Sequence, residues 1–164
     1  MITPKRYAPD LPFPPYAHQP GQTPHPRTHP EGHSYGASEY AGPSLSEQTW
    51  PECSAYLHGV DLFNHGYYWE AHEAWEDLWK TTSRSTVLAR FLQGLIQLAA
   101  MHIKIRSGNE RGAKKLRVKS LDNLTLHTES ETYMGVDLAA LRHHIAHVPS
   151  AALHLRLTLG VHPQ

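Results

Sequence analysis

The sequence predicts an all-α fold, a compact array or bundle of five to six helices over residues 49–160, behind a disordered Pro/His-rich tail over residues 1–48. Three observations predict it. From Thr49 onward, apolar residues recur three and four positions apart, the spacing of helices that bury one face. No segment shows the sustained alternation of a half-buried strand. Most of the 13 prolines lie before Thr49, mixed with Gly, Ser, Thr and the spaced histidines His18, His25, His29 and His33. Proline removes a backbone donor and breaks helix interiors, and a segment without apolar periodicity cannot offset its ordering entropy.

The helices follow in order. Thr49 and Glu52 fit a capping box, and Cys53, Leu57, Val60 and Asn64 then recur at helical spacing. Gly66 ends this first helix, and a second runs from about Tyr67 to Lys80. The polar run 81–85 connects to a third helix, about Thr86–Arg106. That helix is apolar nearly all round apart from a stripe of Arg90, Gln93, Gln97 and Lys104, so it belongs at the centre. Gly108 and Asn109 supply a stop and a cap, and a basic helix follows from about Glu110 to His127. After a loop near 128–136, Asp137 caps a short helix to His147, Pro149 breaks it, and an apolar segment closes the chain at about Ala151–Leu159. Gly66/Ala71 and Gly108/Ala113 occupy equivalent places in two helical hairpins, a spacing similar to tetratricopeptide hairpins.

Composition bounds the function. The 164 residues carry 15 Lys and Arg against 15 Asp and Glu, which gives no general attraction to polyanions. Seven of those bases lie between Lys104 and Lys119, but without interleaved aromatics they read as a solvated face, so nucleic acid is not the expected partner. Cys53 is the single cysteine, which excludes an internal disulfide and a cysteine-based zinc site. The N-terminus lacks an apolar signal core and no run approaches a membrane span, so the expected location is cytoplasmic and no membrane partner is expected. The sequence leaves a homo-oligomer open.

Chemistry concentrates in residues 64–79, which hold three of the four tryptophans and the acids Glu70, Glu73, Glu76 and Asp77. Ionised carboxylates are buried only when paired, hydrogen-bonded or metal-bound. At about 100° per residue, Tyr68, His72, Trp75 and Trp79 share one stripe, with Glu76 at its edge and Glu73 about a quarter turn away. His72 and Glu76 are one turn apart and can grip a metal or share a proton. His72-Glu73-Ala74-Trp75-Glu76 thus mimics the zincin helix, with Glu73 in the place of a general base for metal-bound water. The alternative is a structural knot, an imidazole–carboxylate pair wrapped by aromatic rings that fixes helix register. Gln93 and Gln97, expected on the neighbouring helix, would complete the knot or line a pocket beside Tyr68 and Trp75. The cofactor this donor set suits is a divalent metal such as Zn²⁺.

Leu62–Trp79 with its Asn64-His65-Gly66 turn and Glu70-Ala71-His72-Glu73 core, Arg90–Ala100, Arg106–Ala113 and, more loosely, Tyr133–Asp137 resemble the prokaryotic family named domain of unknown function 309. The resemblance covers about residues 54–145 and leaves out the N-terminal tail. It implies a small all-helical bundle and brings no substrate, cofactor or catalytic residue. The sequence therefore supports a binding domain with a polar pocket between its second and third helices, taking a small ligand or a divalent metal. Its rivals are a metal-dependent hydrolase built on His72, Glu73 and Glu76, and a tetratricopeptide-like adaptor.

Overall fold

In the structure, a computed structural model describing residues 3–126, 128–147 and 156–160, five helices follow one another in an all-α array. They are α1 (Ser54–Asn64), α2 (Tyr68–Lys80), α3 (Val87–Arg106), α4 (Glu110–Leu124) and α5 (Leu138–His147). Their ends follow local chemistry. Thr86 Oγ1 accepts from the Ala89 amide at 3.1 Å, Asn109 Oδ1 from Gly112 at 2.8 Å and Asp137 Oδ1 from Ala140 at 2.9 Å. Gly66 and Gly108 both take left-handed conformations just past a helix end.

Three boundaries differ from the sequence reading. Thr49 and Glu52 do not cap α1, because Pro51 sits at the start of a separate 3₁₀ turn, Trp50–Glu52, and the Thr49 hydroxyl bonds Ser46 Oγ at 2.8 Å instead. The extended backbone of Cys53 then leads into α1. Helix α4 stops at Leu124 rather than near His127, and residue 127 lies outside the described residues. The loop after it contains a small antiparallel hairpin, β1 (Thr132–Tyr133) and β2 (Val136–Asp137). Its turn residues Met134 and Gly135 both have positive φ, a geometry that Asn-Gly would have announced and Met-Gly does not. Residues 148–155, with most of the expected closing segment, lie outside the described residues. Leu159 bridges to Val136, and Leu157 exchanges two hydrogen bonds with the Asn64 side chain.

As its apolar circumference requires, α3 is the central helix, with α2 along one side and α4 along another, while α1 pairs with α2. Tyr56, Phe63, Trp75, Leu78, Phe91, Leu95 and Leu98 are fully buried between them. Helices α1 and α2 meet closely at Gly59. A Cβ there would stand 2.4 Å from Trp75 Nε1, and the indole is enclosed on all sides. An alanine normally stabilises a helix interior by about 1 kcal/mol over glycine. Gly59→Ala is expected to do the reverse, costing about 1–3 kcal/mol through overpacking, as read by urea denaturation. A neutral or stabilising result would mean that the two helices separate freely.

Residues 3–48 depart from the expected disordered tail. They form no helix, as their prolines dictate, but they lie against α1 and α2 in defined places. Asp61 of α1 is wholly buried and accepts from Arg6 Nε at 3.1 Å and from the Tyr7 and Ala8 amides at 2.8 and 2.9 Å. Glu70 of α2 accepts from the His18 amide at 2.7 Å, and His33 Nε2 lies 3.0 Å from the same oxygen. Phe13 stacks on Tyr67, and the His18 ring sits edge-on to Trp69. Charged anchors on the helices thus compensate for what the segment lacks in apolar periodicity.

Candidate functional site

Helix α2 divides its faces cleanly. Ala71, Trp75 and Leu78 turn into the core, while His72, Glu73, Glu76 and Asp77 stay half-buried along one flank. One ligand atom from each of His72, Glu73 and Glu76 lies within 4.8 Å of the others. The pairing of His72 with Glu76 follows from their one-turn separation. Glu73 is closer than the helical wheel suggests, since its long side chain swings back to place Oε1 3.8 Å from His72 Nδ1. His72 Nδ1 is buried and has no hydrogen-bond partner.

The other oxygen of Glu73 is engaged. Arg27, from the N-terminal segment, places Nε 2.9 Å from Glu73 Oε2 and Nη2 2.7 Å from Asp77 Oδ2. The neighbouring His72 imidazole and the Arg27 guanidinium together hold the Glu73 carboxyl below its ordinary pKa, against the opposing effect of its partial burial. Glu73 is therefore a firmly ionised group with reduced basicity, poorly matched to general-base work near neutral pH.

The remaining site residues predicted from sequence go elsewhere. Gln97 accepts from Asn123 Nδ2 at 2.9 Å, and Arg90 on the same stripe donates to the Asp122 carbonyl at 2.8 Å. Gln93 lies between them in sequence and is half-buried, and the contacts of its two stripe neighbours are to α4 rather than to His72 and Glu76. Polar side chains at the edge of an apolar helix find the nearest polar neighbour, and α4 offers it. Trp75 is completely buried against Phe63 and Gly59 and belongs to the core rather than to a ligand surface. Tyr68 stacks on His102 at 4.4 Å between ring centroids, with Arg106 over its ring, beside a crevice shared with His18 and Gln19. Burial raises its hydroxyl pKa. Tyr68 thus closes a different part of the surface from the His72 group.

Sequence reasoning missed Arg27, His33, Asp61 and Glu70. The two acids carried a readable signal, since each interrupts an apolar run: Asp61 between Val60 and Leu62, Glu70 before Ala71. Arg27 carried none. A groove of about 640 Å³, open to solvent, runs between the N-terminal segment and the α1–α2 pair, lined by Arg27, His58, Trp69, Glu70, Glu73 and Asp77 among others. Three of these residues hold buried polar atoms without hydrogen-bond partners: His58 Nδ1, Trp69 Nε1 and Glu70 Oε2. Burial, aided by the charge of Arg6, lowers the pKa of His58 and favours its neutral form.

The portion carrying the flank, from Tyr56 through α2 and α3 to Leu116 of α4, is also the portion that is similar to a family model. Residues 56–116 match the family model "Domain of unknown function (DUF309)". The DUF309 match contains His72, Glu73, Glu76, Gln93 and Gln97, in keeping with the resemblance read from those motifs. Arg27 and the rest of the N-terminal segment lie outside it, as does the Tyr133–Asp137 stretch. No curated protein matches the chain.

Proposed function

We propose that this DUF309-containing chain binds a divalent cation, for which Zn²⁺ is the best-suited common ion, through His72, Glu73 and Glu76. The supporting observation is the convergence of these three ligand atoms within 4.8 Å, with His72 Nδ1 buried and without a hydrogen-bond partner. An imidazole and two carboxylates match zinc's preference for nitrogen and oxygen donors at about 2–2.2 Å. Small side-chain rotations would close the remaining distance. Three protein ligands leave a further coordination position for water or a small anionic or polar ligand. Glu73 Oε1 faces His72 while Oε2 faces Arg27, so a metal at this site would draw on the same carboxylate that the guanidinium holds.

The hydrolase reading loses support because Glu73, its intended base, is weakly basic and held by Arg27. The adaptor reading loses support because the large exposed hydrophobics among the described residues, Tyr35 and Val118, are isolated and form no groove. No helix among the described residues is long and apolar enough to cross a membrane.

Calorimetric titration of the full chain with Zn²⁺ tests the proposal. The 14 histidines will collect some metal nonspecifically, so the decisive quantity is a difference. His72→Ala is expected to lose one binding equivalent. At about a hundredfold excess over the dissociation constant, the wild type alone should gain about 2.7 kcal/mol of stability. Equal stoichiometry and equal stabilisation in the two proteins would refute the site.

A further inference from the structure

The position of Arg27 invites a question that the three ligands alone do not raise. Glu73, Glu76 and Asp77 crowd one flank of a single helix, and like charges so spaced repel each other. A guanidinium from a distant part of the chain meets them, bidentate across Glu73 and Asp77 and only one-third exposed. Glu73 belongs to both constellations, the Arg27 clamp and the His72–Glu73–Glu76 group. A divalent ion bound to Glu73 would stand within a few ångströms of this guanidinium, close enough for the two positive charges to repel even beside a groove open to solvent.

Resting on the cation-site reading above, we infer that Arg27 is the site's built-in competitor, and that metal occupancy and docking of the N-terminal segment around Arg27 oppose each other. Without metal, Arg27 neutralises the acidic flank and helps pin the segment to α2. With metal, Glu73 draws toward the ion, the clamp weakens, and the chain around Arg27 loosens. The segment's other anchors, Arg6 on Asp61 and His18 with His33 on Glu70, do not touch the ligands and keep it tethered. Linkage makes the effect reciprocal: whatever factor metal removes from Arg27 docking, Arg27 removes from metal affinity.

Zn²⁺ titrations of the full-length wild type, Arg27→Gln and Arg27→Lys, each compared with the same protein carrying His72→Ala, test this. The His72-dependent site should bind roughly fivefold or more tightly in Arg27→Gln, and Arg27→Lys, which retains the charge, should stay near the wild type. Amide hydrogen exchange around residues 24–30 of the wild type should quicken when Zn²⁺ fills that site, and not in the His72→Ala protein. A site seen only in Arg27→Gln would mean that the arginine excludes the ion outright, the strongest form of the inference. Equal His72-dependent affinity in wild type and Arg27→Gln would overturn the competition while leaving the cation site standing. No His72-dependent binding in any background would remove both.

Discussion

Asp61→Ala is expected to destabilise the chain by about 3–5 kcal/mol, because it leaves the part-buried Arg6 without its counter-charge and two backbone donors without their acceptor. The Asp61 side chain is wholly enclosed and holds Arg6 together with the amides of Tyr7 and Ala8. For a domain of this size, each kcal/mol moves the melting temperature by about 2–4 °C, so thermal unfolding should show a fall of about 10 °C. Arg6→Ala should cost less, since Asp61 would retain its two backbone donors. Asp61→Ala should also open the beginning of the chain to limited proteolysis under native conditions. A loss below about 1 kcal/mol, with no change in cleavage, would show that the N-terminal segment contributes little to the fold.

That segment marks the limit of what the sequence could reveal. Helices α2, α3 and the start of α4 were legible because their signals are local: apolar spacing, the polar run before Thr86, Asn109 as a cap, and glycines at 66 and 108. The His72–Glu76 pair was legible for the same reason, since residues four apart on a helix are neighbours, whereas Glu73 joins them only because its side chain swings back. Residues 3–48 were read by composition, which describes what a segment can do alone. Their order depends on carboxylates placed about fifty residues further along, and no local pattern encodes that dependence. Asp61 and Glu70 offered the missing hint, because an acid among core positions implies a donor from elsewhere. The hairpin at Met134-Gly135 escaped because its two-residue strands are too short for alternation to register. Gln97 was assigned to the correct helix and the wrong neighbour. Periodicity tells which residues share a face, not which partner that face meets.

Trp75 shows how much that distinction matters, and its removal should produce the other large effect. On the wheel it shares a stripe with His72, yet the structure encloses it completely while His72 remains half-buried at the flank. Trp75→Ala is expected to cost about 3–5 kcal/mol, because it empties the contact between α1 and α2 and leaves a cavity. Trp75→Phe, which refills much of the space, should cost less and leave Zn²⁺ binding at His72 unchanged. The cause can be isolated with Gly59, whose Cβ position lies against the indole nitrogen. In the wild type Gly59→Ala should destabilise, whereas in the Trp75→Ala background the added methyl would project into the vacated space and should become neutral or stabilising. That sign reversal, measured as a coupling energy in a double-mutant cycle, would tie the glycine to the tryptophan. Additive costs would instead locate the penalty in the α1 backbone, and altered His72-dependent metal binding in Trp75→Phe would return the tryptophan to the site.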